Sequence, residues 1–175
     1  VSLFWSLRQS RVERWNETPL EDWKDEVTEL YPDLNPLLEH IKSRQQVIFV
    51  NYSHVTMDTW NEGNLVCIGD AAHGMSPQLG QGVSLGLYDA WCLAQSLSKN
   101  LSIDEAFVDY SACRKHHIRW MQMASRFVTP MFQSSGSDWA PWRDIAFRAI
   151  HNIRFPYRLM LGTLSGIQQG MFRKP

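Results

Sequence analysis

The residue types that could do chemistry are concentrated in one stretch, Asn64 to Leu97, which reads NLVCIGDAAHGMSPQLGQGVSLGLYDAWCLAQSL. Leu65-Val66-Cys67-Ile68 is a short continuous apolar run, the pattern of a strand buried on both faces. It ends at Gly69-Asp70, so a carboxylate sits at the carboxyl end of that strand. In open α/β sheets this is the edge that binds ligands. A loop follows, carrying Gly74, Pro77, Gly80 and Gly82, and an amphipathic helix is predicted from Gly82-Val83 to about Leu97. Half of the ten glycines (69, 74, 80, 82 and 86) lie in this window, and no Asp, Glu, Lys or Arg occurs between Ala71 and Tyr88. Glycine lets the backbone approach a ligand closely. The start of the helix presents unpaired N–H groups and the positive end of its dipole. With no cation nearby, a negative charge there must be held by those N–H groups. That suits a delocalised or transient anion better than a permanent polyphosphate.

The motif Gly69-Asp70-Ala71-Ala72-His73, Pro77, Gly80-Gln81-Gly82, Gly86, Asp89-Ala90, Leu93-Ala94 resembles the second flavin motif of single-component FAD monooxygenases. These are the aromatic hydroxylases of the p-hydroxybenzoate, salicylate and ubiquinone-pathway type. The resemblance implies FAD as cofactor and NAD(P)H as co-substrate. It also implies reaction with O2 and transfer of one oxygen to an aromatic or other electron-rich small molecule. By the same resemblance, the cofactor-binding residues are Gly69, Asp70, Pro77, Gly80, Gln81, Gly82, Val83 and Ser84. Asp70 would bond a ribityl hydroxyl, and the loop from Pro77 to Gly82 would run along the isoalloxazine. The N–H groups near Gly82 and Val83 would face the ring edge that becomes negative on reduction. Ser84 stands where many members carry Asn, so a contact there falls to the backbone. His73 belongs to the motif and is expected to be structural, not a catalytic base. No residue is assignable as catalytic. Two neighbouring chemistries share the motif, an FAD-dependent halogenase and a reductase, and a truncated helical module without activity is a third reading.

The family also needs a Gly-x-Gly-x-x-Gly unit to cradle the pyrophosphate. The chain has none, because Gly80-Gln81-Gly82 is followed by three residues before Gly86. The expected architecture is therefore an α/β fold, α+β as a fragment. It is the C-terminal part of an FAD/NAD(P)-binding hydroxylase, a few strands followed by a mainly helical half. Residues 1–60 would end a substrate domain, 61–100 form the second flavin motif, and 101–175 form C-terminal helices. The N-terminal FAD-binding half of the same protein is then the first partner, and the fragment alone is expected to be inactive.

Bulk properties agree with a globular domain. The chain has 175 residues, 44% of them apolar, and a formal net charge of −1; its mean hydropathy is −0.31. That charge offers nothing to nucleic acid. Cys67, Cys92 and Cys113 read as buried thiols of a reducing compartment, hence the cytoplasm, and not as a disulfide framework. His116 and His117 lack a second ligand pair, so no metal is expected.

The flanking elements must position the motif. Val1 to Arg8 reads as a strand with Leu3, Trp5 and Leu7 on one face and Phe4 on the other. Phe4 or Trp5 would be core or would line a substrate pocket. Thr18-Pro19-Leu20-Glu21 reads as a capping box opening a helix to Leu30. Asn35-Pro36 starts a short helix through Ile41. Gln46 to Met57 alternates like a long strand; the resemblance implies that such a strand belongs to the sheet roofing the flavin, which makes Phe49, Asn51 and Ser53 substrate-pocket candidates. Asp58 to Gly63 reads as a turn. A helix from Asp104 to about Val128, capped by Ser102 with Glu105, puts Ala106, Phe107, Tyr110, Cys113, His117, Trp120, Met121, Ala124 and Phe127 on one stripe. Gln133 to Asp138 reads as a loop. From Pro141 onward the chain carries six Lys or Arg against Asp144. That basic tail suits a solvated face, a homodimer contact or a membrane surface.

Overall fold

The computed structural model describes residues 3–7, 9–99, 102–133 and 140–171. The chain forms two compact units, Val1–Asn51 and Tyr52–Pro175. It is mostly helical with two short strands, in keeping with the helical end of a hydroxylase fold.

In the first unit, α1 (Val12–Glu17), α2 (Leu20–Leu30) and α3 (Asn35–Leu38) surround a small core of Trp23, Val27 and Leu38. Trp23 and Val27 are one turn apart and form the buried stripe of α2. The expected capping box does not form. The Thr18 hydroxyl donates back to the Arg14 carbonyl at 2.8 Å, and Pro19 takes the cap position. The helix stops where Pro32 removes the next donor, and α3 is shorter than expected, ending at Leu38.

Among the described residues, neither of the long strands expected at 1–8 and 46–57 forms. Residues 3–7 keep the period-2 burial, with Leu3, Trp5 and Leu7 half-buried and Phe4 79% exposed, but they join no ladder. Trp5 packs edge-on against Trp23 at 6.4 Å, so it is core, not pocket. From Ser43, a 3₁₀ turn (Arg44–Gln46) is closed by a side-chain and backbone capping box, and residues 47–57 run on without strand pairing. Alternation specifies a strand only where a partner edge exists, and no described segment supplies one here.

In the second unit, β1 (Asn61–Glu62) and β2 (Leu65–Val66) form an antiparallel hairpin in the register Asn61↔Val66, Glu62↔Leu65. Gly63, at φ 51°, sits in its tight turn. β2 corrects the expectation of a strand buried on both faces, because Leu65 is 66% exposed and Ile68 37%. Its edge away from β1 has no strand beside it among the described residues. After β2 come α4 (Asp70–His73), a 3₁₀ turn (Pro77–Leu79), α5 (Gly82–Leu97), α6 (Ile103–Gln133), α7 (Ala140–Asn152) and α8 (Arg154–Leu164). α5 begins and ends where the sequence predicts. α6 starts with the expected Ser102–Glu105 box, the Ser102 N–H donating to Glu105 Oε2 at 2.9 Å. It runs past Val128 and through Pro130.

The core of this unit is Trp60, Ala72, Leu79, Leu85, Cys92, Tyr110, Ile118 and Met121, where α5 packs on α6. Of the expected α6 stripe, Ala106, Phe107, Tyr110, His117 and Met121 are buried, while Cys113 and Phe127 are exposed. The exposure of Cys113 corrects its reading as a buried thiol, and its sulfur lies 3.1 Å from Cys92 Sγ. The loop expected at 133–138 and the end of the tail fall outside the described residues, Gln133 excepted, which ends α6. Arg148, Arg154 and Arg158 of α7 and α8 are exposed. No described helix is long and apolar enough to cross a membrane.

Candidate cofactor site at the head of α5

The site begins where β2 ends. Gly69 adopts φ 59° and ψ −141°, open to glycine and strained for any other residue. A Cβ on Gly69 would lie 3.8 Å from the Cα of Gly86, so the chain crosses α5 backbone to backbone. α4 then makes a single turn. The N–H groups of Ala72 and His73 both donate to the Gly69 carbonyl at 3.0 Å. The Asp70 side chain caps nothing and is exposed. Water therefore reaches the Asp70 carboxylate. One of its oxygens lies 3.8 Å from where a Cβ on Gly82 would stand, so the carboxylate faces the head of α5.

The connecting loop is fastened from outside. The Ser76 carbonyl accepts from the Ser125 hydroxyl of α6 at 3.1 Å. Pro77 is exposed while Leu79 is buried, and Gly80 turns the chain at φ 64°. Gln81 donates its side-chain amide to the Leu164 carbonyl at the end of α8, at 2.6 Å. Of the residues the motif assigns to the cofactor, Gln81 therefore offers its backbone and not its side chain. α5 starts without a side-chain cap and without an acid in its first turn. Its first internal bond runs from the Leu85 N–H to the Gln81 carbonyl at 2.9 Å. The N–H groups of Gly82, Val83 and Ser84 thus have no partner within the helix, and all three residues are exposed.

Gly69, Asp70, Pro77, Gly80, Gln81, Gly82, Val83 and Ser84 are therefore gathered around one helix start. Phe49 and Asn51, the substrate candidates, belong to the first unit, where Phe49 packs on Trp15 with ring centroids 5.8 Å apart. Ser53 lies in the second unit, its carbonyl beside Gly74, and Val55 N–H donates to the Gly74 carbonyl at 2.8 Å.

Beneath the loop lies a charge cluster that the sequence reading missed. Asp89 of α5 is fully buried. Its Oδ2 accepts from the Gly69 N–H at 2.8 Å and lies 2.5 Å from His73 Nε2. Its Oδ1 accepts from Arg114 Nε of α6 at 2.7 Å. Arg114, also fully buried, reaches His117 Nδ1 at 2.8 Å and lies over the Tyr88 ring at 4.2 Å. Burial alone would raise the Asp89 carboxyl, but the bonds from His73, Arg114 and Gly69 outweigh it and hold it below the usual carboxylate range. Burial, then the Arg114 charge, pushes His117 down to about 4, so it is neutral at pH 7. His73, expected to be structural, is buried against Asp89. One signal was available: Arg114 lies between Tyr110 and His117 on the apolar face of α6, where an unpaired charge would be too costly to bury.

The arrangement fits a flavin. An exposed carboxylate suits a hydroxylated chain, and an uncapped helix start suits a ring edge that gains negative charge. Gly82 adds no side chain between them. The chain spans less than a third of the length of the relatives it matches. The FAD binding domain family matches residues 4–125. A 2-heptyl-3-hydroxy-4(1H)-quinolone synthase of Pseudomonas aeruginosa is 33% identical over 115 residues, covering 60% of this chain and 28% of that protein. The FAD-dependent monooxygenase spyC of Aspergillus fumigatus is 29% identical, covering 50% and 21%. The crystal structure of 2-methyl-3-hydroxypyridine-5-carboxylic acid oxygenase superposes with a TM-score of 0.55 at 26% identity, over 74% of this chain and 31% of that one. The match covers more than half of the chain, and the chain belongs to the FAD binding domain family.

Proposed function

We propose that this chain supplies the isoalloxazine and ribityl side of the FAD site in a monooxygenase that uses NAD(P)H and O2 to hydroxylate an aromatic or other electron-rich small molecule. The observation that carries this reading is the uncapped, exposed start of α5 facing the exposed Asp70 carboxylate, with no charged side chain from Ala71 to Tyr88. FAD, when bound, supplies the electron transfer and oxygen activation. The chain's own groups do the rest. Asp70 accepts a hydrogen bond from a ligand hydroxyl. The N–H groups of Gly82, Val83 and Ser84 and the α5 dipole stabilise negative charge where it develops. Gly82 and Gly80 let the backbone approach a flat ring.

Relatives named for a hydroxyquinolone and a hydroxypyridine carboxylate make hydroxylated nitrogen heteroaromatics the first compounds to test. The test is NAD(P)H oxidation by the intact gene product, with mass analysis of the product. Oxidation stimulated by such a compound, with one oxygen atom gained, supports hydroxylation. A halogenated or saturated product would replace it with the halogenase or reductase reading. A gene product that takes up no FAD would leave the non-catalytic module.

A further inference from the structure

Asp89 and Arg114 form a fully buried ion pair away from any exposed ligand position. Buried ion pairs are weak sources of stability, because desolvation offsets their attraction. What such a pair contributes without ambiguity is geometry. Here one oxygen, Asp89 Oδ2, holds both ends of α4. It takes the N–H of Gly69, just before the turn, and meets Nε2 of His73, the last residue of it. Asp70 is the first residue of that turn; its carbonyl accepts from the Gly74 N–H at 3.0 Å, while its exposed side chain caps nothing. The other oxygen is held by Arg114, and Arg114 is held in turn by His117 and the Leu85 carbonyl. The carboxylate is thus fixed from behind and brackets the turn in front. Because Asp89 lies on α5, the same bracket ties Asp70 to the helix whose start it faces.

We infer that Asp89, backed by Arg114, is a positioning residue for the Asp70 carboxylate, setting its place relative to the α5 start for a polyhydroxylated chain such as the ribityl of a flavin. The inference rests on the flavin reading above. Without the bracket, α4 keeps its two bonds to the Gly69 carbonyl and the bond from the Gly74 N–H to the Asp70 carbonyl, but nothing ties the turn to α5, and the Asp70 carboxylate samples more than one place relative to the helix start.

The experiment is a double-mutant cycle in the intact gene product. FAD dissociation constants are measured by flavin fluorescence, and apoprotein melting temperature is measured in parallel. Asp89→Asn keeps the shape and one acceptor. Asp89→Leu combined with Arg114→Met replaces the pair by apolar groups, an exchange that buried pairs often tolerate. Each is expected to weaken FAD binding about tenfold in the wild-type background and by less than about twofold in an Asp70→Ala background, because positioning has value only when Asp70 is there to be positioned. The melting temperature of the double variant should stay within a few degrees of wild type. Equal losses in both backgrounds, or wild-type affinity in the Leu/Met variant, would overturn the inference. A Leu/Met variant that no longer folds would also overturn it, since the pair would then be scaffold. A wild-type protein that binds no FAD, or an Asp70→Ala variant of unchanged affinity, is a different result: it removes the flavin reading and is seen before the cycle is closed.

Discussion

Asp70 and Gly82 face each other across the site, and each can be changed without touching the core. Asp70 is exposed and caps nothing, so its loss costs the fold little. A charge-assisted bond to a ligand hydroxyl contributes roughly 1.5–3 kcal/mol. Asp70→Ala should therefore weaken FAD binding about ten- to a hundredfold, with the apoprotein melting temperature unchanged. Isothermal titration and thermal denaturation check the two halves. Gly82→Val should also leave the fold intact, because its Cβ would meet only an Asp70 oxygen at 3.8 Å. Its branched side chain would stand between the helix start and the ring. The expected outcome is an altered flavin absorbance spectrum and slower reduction; a normal spectrum with a normal rate would place the loop elsewhere.

α6 is the post on which the motif hangs. Arg114, Gln122 and Ser125 are buried on it and reach Asp89, the Val55 carbonyl and the Ser76 carbonyl respectively. His117 packs in the same row, facing Arg114, Tyr88 and, through Arg114, Asp89. Its folded value of about 4 lies below the ordinary imidazole value of 6.5. The unfolded chain therefore binds a proton that the folded chain refuses. Stability from this group is whole above pH 6.5 and falls as pH drops toward 4, by up to about 3 kcal/mol. Asp89, held below its ordinary value, loses its contribution only at lower pH still. Melting temperature measured from pH 7.5 to 4.5 should fall, and His117→Phe should flatten that slope. A further α5–α6 contact is Cys92 to Cys113, with sulfurs 3.1 Å apart. Burial pushes the Cys92 thiol up to about 12, so the exposed Cys113 is the thiol that reacts first. Diamide, which accepts the two hydrogens, should join them. The product loses two mass units and gains about 3 kcal/mol of stability by closing the intervening loop. Cys113→Ser should abolish the cross-link in intact-mass spectra.

At the scale of the molecule, the chain carries part of what the proposed FAD site needs. It gathers a carboxylate and a helix start but no Gly-x-Gly-x-x-Gly cradle. The pyrophosphate would contribute several charge-assisted bonds in such a cradle. The 175-residue chain alone should therefore bind FAD weakly or not at all in isothermal titration. Submicromolar affinity would mean that a pyrophosphate site exists within it.

Local signals were legible wherever a structure depends on neighbours in sequence. The start of α5 at Gly82, its end at Leu97, the Ser102–Glu105 box and α2 all follow from caps, glycines and 3.6-residue periodicity, which close within a few residues. The gathering of the motif around one helix start followed from its spacing. The strands at 1–8 and 46–57 did not follow, because alternation describes a surface and a strand needs a partner that sequence alone cannot supply. β2 was expected to be buried on both faces, yet it has one neighbour among the described residues and Asp70 in the turn beyond it is open to water. The Asp89–Arg114–His73 bracket was the least legible feature. Its members stand 16 and 25 residues from Asp89 on separate elements, and only the packing of α5 on α6 brings them within hydrogen-bond reach. Sequence determined which groups meet at the start of α5; tertiary packing decided what holds them still, because a buried charge takes its meaning from partners that the chain brings together only on folding.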